Sequence, residues 1–177
     1  MLNIIPINTS SPHYDFVEEL LQSAFLQEER RNNNLQRQYT DTKKNFRCNL
    51  IQTTQGTPVG VITYWDFTDF IYIEHLAIDK LQQGKGYGTQ ALQTLLEESK
   101  CPTVLEVEIP HHPNDYAFRR ICFYKRLGFR IRRIPYKQPP YRVGDEWLPM
   151  KLMTIGTFAS INKTIGTIYR EVYDAQQ

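Results

Sequence analysis

The chain has 177 residues, 41% of them hydrophobic and 23% charged, with a formal net charge of +2. That is enough for one ordinary core and too little for two comfortable domains, and no apolar run approaches the roughly 18 residues of a membrane span. The near-neutral balance leaves no global electrostatic footprint for nucleic acid, so the composition describes a soluble domain that partners neither nucleic acid nor membrane.

Leu2 to Ile7 alternates well enough for a first strand. Ser10-Ser11-Pro12 then signals a helix start, followed by Tyr14, Val17, Leu20, Leu21, Ala24 and Phe25 at helical spacing. Gln27 to Lys44 has few apolar anchors and reads as a second helix and a loop. Phe46 to Thr53 and Val59 to Phe67 are strands joined by a turn at Gln55-Gly56-Thr57-Pro58. Phe70 to Ile78 is the fourth strand and Gly86 to Ser99 a helix. The fifth strand, Val104 to Ile109, puts Leu105, Val107 and Ile109 on one face and Glu106 and Glu108 on the other. The unit from Ile71 to Ile109 is therefore a parallel crossover, expected to be right-handed. Asn114 or Asp115 caps a helix carrying Ala117, Ile121, Tyr124 and Leu127 up to Gly128. Phe129 to Ile134 and Lys151 to Ile155 are the last strands, separated by a proline-rich loop.

Beyond them, Phe158, Ile161, Ile165, Ile168 and Val172 recur at spacings of three and four, an amphipathic helix despite Gly166. The expected organisation is one domain over residues 1–155 and a C-terminal helix over 156–177, packed on that domain or on a dimer partner. Cys48, Cys101 and Cys122 are an odd count without metal spacing, which suits a reducing cytoplasm, and the first residues lack the basic and long apolar regions of a secretory signal. Cys122, beside Phe123, reads as a small core residue. His111-His112 lies between two prolines and reads as loop, so no metal is expected.

The most informative stretch is Gln83-Gly84-Lys85-Gly86-Tyr87-Gly88, between the fourth strand and its following helix. Glycines at alternate positions let backbone approach a ligand, and a helix starting behind them turns unpaired N–H groups and a positive dipole end toward it. The ligand such a loop suits is an anion, most simply a pyrophosphate. A nucleotide-hydrolase loop would need Gly-Lys-Ser/Thr, and here Gly86 follows Lys85. A dinucleotide fingerprint can be laid over Gly86, Gly88 and Ala91 with Glu106 as the ribose acid, but it should begin directly after a buried strand, and Asp79 to Lys85 intervene.

The remaining pattern, Gln/Arg-x-x-Gly-x-Gly/Ala, is met by Gln83, Gly86 and Gly88, and here the sequence resembles the GNAT-type N-acetyltransferases. The resemblance extends to Tyr124-Lys125-Arg126-Leu127-Gly128-Phe129, which matches the family's Tyr-x-x-x-Gly-Phe, and to a subgroup of small bacterial members through Gln138-Pro139-Pro140-Tyr141 and Leu148-Pro149-Met150. It covers residues 71 to 155 by motif and the first 70 only by order of elements. It implies the GNAT α/β fold, a mixed, mostly antiparallel sheet of six or seven strands flanked by helices. It further implies acetyl-CoA held by Leu76, Ala77, Ile78, Gln83, Gly84, Lys85, Gly86, Tyr87, Gly88 and Thr89, and acetyl transfer to a primary amine of a small molecule or peptide by direct attack. Backbone N–H groups where the fourth strand bulges, around Leu76 to Ile78, would meet the oxyanion.

Aminolysis of a thioester needs a neutral amine, and with an alkyl amine pKa near 10.4 only about one molecule in 10³ is neutral at pH 7. A base is therefore useful, and Glu74, Glu106 and His75 are the candidates, or a water relay. Alternation puts Glu74 with Tyr72 and Leu76, and His75 with Ile73 and Ala77. Tyr124 is the counterpart of the tyrosine that serves the departing sulfur; otherwise it is a core tyrosine on a helix stripe. Two rival functions stay open. One is a CoA-binding GNAT-fold sensor without turnover. The other is a nucleic-acid-binding module using the basic run Arg119 to Arg133. The aromatic and charged loop 135–149 either walls the acceptor site or is a rigid connector, and dimerisation is a further possibility.

Overall fold

The computed structural model describes residues 2–175. Its elements are β1 (Leu2–Pro6), α1 (Tyr14–Ala24), α2 (Asn33–Thr42), β2 (Phe46–Thr53), β3 (Pro58–Asp66), β4 (Ile71–Ile78), α3 (Tyr87–Ser99), β5 (Thr103–Glu108), α4 (Tyr116–Arg126), β6 (Arg130–Ile131), β7 (Lys137–Gln138), β8 (Leu148–Ile155) and α5 (Ile161–Tyr173). The sheet runs β1-β2-β3-β4-β5-β8-β6, with β7 paired to β8. Every pairing is antiparallel except β4 with β5.

Two cores lie on the two faces of the sheet. On one, α1, α2 and α5 bury Val17, Leu20, Tyr39, Ile168 and Val172 against Leu50, Val61, Trp65 and Tyr72. On the other, α3 and α4 bury Ala91, Leu92, Leu95 and Ile121 against Ile62, Ile73, Leu105 and Val107. The apolar spacings of the helices thus become faces against opposite sides of one sheet. Local chemistry fixes the ends. Asn32 accepts from Leu35 N–H at 2.9 Å, and Asp115 accepts from Phe118 N–H at 2.7 Å and also from His111 and His112, which ties that histidine pair into the cap.

Two departures from the sequence reading matter. The strand expected over Phe129 to Ile134 is only two residues long, and the last strand begins three residues earlier than expected because Lys137–Gln138 pairs with Pro149 and Leu148. Pro135, Pro139 and Pro140 lack the N–H a ladder needs, so the segment crosses the sheet end in short pieces. The second departure is a β-bulge in β4. Thr63 pairs with His75 and Tyr64 with Ile73, leaving Glu74 unpaired. Strict alternation therefore fails after Ile73, and Glu74 and His75 both turn toward the face shared by Tyr72 and Ala77, while Leu76 and Ile78 go to the other.

β4 and β5 pair at Ile71↔Thr103, Tyr72↔Val104 and Ile73↔Leu105 and no further. Past that point β4 follows β3 to Ile78 and β5 follows β8 to Glu108, so the two central strands part and open a gap through the sheet.

The C-terminal helix is a full member of the first core. Ile168 is completely buried, so Ile168→Ala should cost about 2–5 kcal/mol. A denaturant titration read by tryptophan fluorescence checks this, and an unchanged midpoint would mean that the helix does not contribute to the folded core.

Candidate active site

The gap is lined on one side by the glycine loop. Gly84 and Gly86 take left-handed backbone at φ 80° and 78°, and Gly86 is the N-cap of α3 with no side chain capping the first turn. The N–H groups of that turn are thus left for a ligand, as an anion site requires. Gly86 is needed for its left-handed φ rather than for space, since a Cβ there would have no atom closer than 3.9 Å. At Gly88 a Cβ would lie 3.6 Å from Ile78 and 3.7 Å from Phe123, on the floor of a cleft of about 420 Å³ between α3, β4 and α4.

Of the residues the sequence assigns to the cofactor, Leu76, Ile78, Gln83, Gly84, Gly86, Tyr87, Gly88 and Thr89 line this cleft. Lys85 instead reaches outward to Gln82 at 2.8 Å, and the side chain of Ala77 is buried on the other face of the sheet. The free edge of β4 faces the gap. Ala77 C=O points toward Gly60 of β3, whereas Ile78 C=O accepts from the Gln83 amide at 3.1 Å, so by alternation the main-chain groups of Leu76 and Ile78 are directed away from β3. The bulge itself lies at Glu74, not around Leu76 to Ile78. The main chain there is free because β5 has turned away.

Tyr124 lies at the inner end of the cleft, buried, with its ring edge-on to Phe123 and Phe129. The Tyr-x-x-x-Gly-Phe pattern is also a helix stop. Gly128 N–H bonds to Lys125 C=O at 3.0 Å and Phe129 N–H to Tyr124 C=O at 3.1 Å, a Schellman arrangement that needs Gly128 at its φ of 92°. The pattern holds Tyr124 in the last turn of α4, facing the gap. Arg120, one turn earlier, lines both this cleft and a second cavity, pairs with Glu108 at 2.9 Å and sits beside the Tyr124 hydroxyl.

The second cavity, on the opposite side of the gap, measures about 20 Å³, room for one water-sized group. Glu74, His75 and Glu106 all border it, but in different states. The Glu74 side chain is 0% exposed and clasped by Arg31 at 2.6 and 2.8 Å, with Tyr141 donating at 2.8 Å and Trp65 at 3.3 Å. Burial alone would raise its pKa, but Arg31, with help from His75 and the hydrogen bonds, leaves it below the ordinary carboxylate range. Every acceptor position is taken, which makes Glu74 a poor base. His75 is buried, with Nε2 3.0 Å from Glu29 C=O and Nδ1 3.2 Å from Thr63 Oγ1, and burial lowers its pKa.

Glu106 is different. Its exposure is intermediate, as that of Glu74 is, but among the described residues it pairs with no cation; its partners are the hydroxyls of Tyr72 at 3.0 Å, Tyr173 at 2.7 Å and Tyr136. Burial raises its pKa to about 7, against the opposing pull of the three phenols. Of the three candidates, it alone has its proton affinity raised to suit neutral pH.

Arg31, Tyr72 and Tyr173 have no local sequence signal of this role, whereas Tyr136 and Tyr141 belong to the aromatic loop 135–149 that the sequence offers as a wall of the acceptor site. Arg31 lies in the polar stretch between α1 and α2, and its guanidinium is stacked 4.5 Å from the Tyr39 ring centre and 5.1 Å from that of Tyr141. The basic run is also divided: Arg119, Arg120 and Arg126 line the larger cleft and Arg132 bonds Thr154 at 2.9 Å. Among the described residues, no group of three or more His, Cys, Asp or Glu side chains could hold a metal ion, and no helix is long and apolar enough to cross a membrane.

An uncapped glycine loop, a sheet parted at its centre and a tyrosine at the gap agree with what similarity shows independently. Residues 14–129 match the Acetyltransferase (GNAT) family. The chain belongs to that family. A Bacteroides thetaiotaomicron protein assigned to the GNAT family of acetyltransferases is 42% identical, superposes with a TM-score of 0.89 and is matched over 98% of this chain and 99% of its own. Among more distant folds, a GNAT acetyltransferase from Elizabethkingia anophelis with acetyl-CoA bound is 17% identical, with a TM-score of 0.58 over 88% of this chain and 98% of that one. A Bacillus subtilis acetyltransferase in complex with CoA is 16% identical, with a TM-score of 0.61 over 89% and 100%. No curated protein sequence shows significant similarity to the chain. Family and fold together make it a GNAT-type acyltransferase with the expected mixed, mostly antiparallel sheet, eight strands of it among the described residues.

The Arg31–Glu74 pair allows a direct test. Arg31→Met alone leaves a buried carboxylate uncompensated and should cost about 3–5 kcal/mol, whereas Arg31→Met with Glu74→Leu should recover most of that loss. Equal destabilisation of the single and double variants, in urea melts, would show that the charge pair is not what fixes this wall.

Proposed function

We propose that the protein transfers an acetyl group from acetyl-CoA to a primary amine, with Glu106 as general base and Tyr124 serving the departing sulfur. The observation that carries this reading is the continuity of the site. The uncapped loop, the free edge of β4 and Tyr124 border one cleft, Glu106 borders the cavity on the other side of the parted strands, and Arg120 borders both.

Acetyl-CoA supplies the acetyl group already activated as a thioester. The amides of residues 84–89 and the first turn of α3 would hold its pyrophosphate, with Arg119 and Arg126 at the cleft wall to meet phosphate charge. Main-chain groups of Leu76 and Ile78 would pair with the pantetheine arm, and an N–H there would donate to the thioester oxygen as negative charge develops on it. The amine nitrogen forms its bond to the acetyl carbon as the carbon–sulfur bond breaks. Glu106 takes the proton leaving nitrogen, and the Tyr124 hydroxyl donates to the sulfur that departs.

The small cavity favours an acceptor whose reacting end is slim, a primary amine on an unbranched carbon, from a small molecule or a peptide. Glu29 at the cavity edge, its pKa raised by burial, adds an acidic group to attract an ammonium. A single domain over residues 1–155, with α5 added to it, and a reducing cytoplasmic setting fit this role, and a homodimer is compatible with it.

Titration calorimetry should give acetyl-CoA binding in the micromolar range, with a raised melting temperature by linkage. Gly86→Val should weaken that binding at least tenfold, because a branched residue resists the φ of 78° on which the loop depends. Binding of NAD but not CoA would reverse the assignment.

Turnover measured by CoA release, with a panel of propylamine, ethanolamine, spermidine, lysine and an alanyl peptide, should fall about 10- to 1000-fold in Tyr124→Phe and about 10²- to 10⁴-fold in Glu106→Gln. CoA affinity should be retained in both. Wild-type turnover in Tyr124→Phe would remove that residue from the chemistry, and a panel with no turnover at all would point to CoA binding without catalysis.

A further inference from the structure

The family match ends at residue 129, yet one of the three hydroxyls on Glu106 comes from the last turn of α5. Tyr173 donates to Glu106 Oε2 at 2.7 Å and lies 2.9 Å from the Tyr72 hydroxyl, which reaches the same oxygen at 3.0 Å. Tyr136 bonds the other oxygen. Burial holds all three phenols above the ordinary tyrosine range, so they remain neutral and keep their protons as donors.

The placement of Tyr173 is not incidental to a loosely attached tail. Ile168 and Val172 are buried in the core beneath it, and its ring packs 4.8 Å from that of Tyr141. The carbonyl of Val172 accepts from Arg31 at 3.2 Å, the same guanidinium that clasps Glu74. One buried cation thus ties the end of α5 to the wall of the acceptor cavity.

Carboxylate oxygens that accept several hydrogen bonds favour the charged form, and only the charged form can take a proton from the amine. We propose that Tyr173 is a positioning residue for acetyl transfer, its hydroxyl holding Glu106 oriented and available as a carboxylate, so that the C-terminal helix completes the catalytic site. The inference rests on Glu106 being the base. The titratable and charged groups around Glu106 are Tyr72, Glu74 and His75 from β4, Tyr136 and Tyr141 from the segment between β6 and β8, Tyr173 and, farther off, Tyr169 from α5, Arg120 from α4 across the cavity, and Glu29 from the segment between α1 and α2. Among them Tyr173 alone reaches the Glu106 carboxylate from beyond the sheet and its connections.

The test follows the carboxylate itself and needs no acceptor. With glutamate labelled at its carboxyl carbon, the NMR signal of Glu106, identified by its loss in Glu106→Gln, should titrate near pH 7 in the wild type. In Tyr173→Phe the lost donor should move that midpoint up by roughly one pH unit. Tyr169→Phe, which removes a hydroxyl bonded to Lys137 C=O on the same helix, should leave it in place. Site-specific 3-fluorotyrosine at 173 keeps the packing and makes a stronger donor, so it should move the midpoint down. A folded Tyr173→Phe protein with an unmoved midpoint overturns the proposal. Glu106→Gln with undiminished turnover across the amine panel overturns the base assignment and the proposal with it. An inactive Glu106→Gln beside an unmoved midpoint overturns the proposal alone.

Discussion

β4 and β5 hold each other through three residue pairs and then separate, and the proposed chemistry depends on that separation. A parallel pair in the middle of a sheet is normally sealed by helices on both faces. Here each strand has a stronger antiparallel partner, β3 for one and β8 for the other, which carries it away from its neighbour. The price in unpaired backbone is confined to one edge of β4, where main-chain groups face a cleft instead of a strand. The same parting joins the two sides of the sheet, so the loop and Tyr124 on one face communicate with Glu106 on the other.

Two glutamates on adjacent strands meet opposite fates across this gap. Glu74, pushed sideways by the bulge, is paired with a buried guanidinium and saturated with donors, which fixes it as an anion. Glu106 is bound only by neutral phenols, so burial raises its proton affinity to where a base at neutral pH needs it. Identity of residue type predicts nothing here. A cation within 3 Å separates the two environments. The arrangement also spreads the site through the chain, since Arg31, Tyr72, the pair Tyr136 and Tyr141, and Tyr173 come from four separate stretches of sequence.

Those stretches explain what was legible in the sequence and what was not. The glycine loop, the crossover, the Tyr-x-x-x-Gly-Phe helix end and the apolar stripe of the last helix are local patterns, readable because backbone conformation and helix period leave their mark within a few residues. Asp115, read as one of two possible caps, is the cap observed. Glu74 and Glu106 were inseparable from sequence, because what distinguishes them is the company of residues 43 and 67 positions away. The bulge was misplaced for a related reason. It depends on the register between β3 and β4, and Ile73-Glu74-His75-Leu76 carries no glycine or proline to mark it.

A structure of the protein with CoA bound tests the central claim most directly. The pyrophosphate should lie on the amides of residues 84–89, the pantetheine arm against the main chain of Leu76 to Ile78, and the sulfur between the strands within hydrogen-bond reach of the Tyr124 hydroxyl. A CoA seated elsewhere, or one whose sulfur is separated from both Tyr124 and the Glu106 cavity by closed protein, would contradict it.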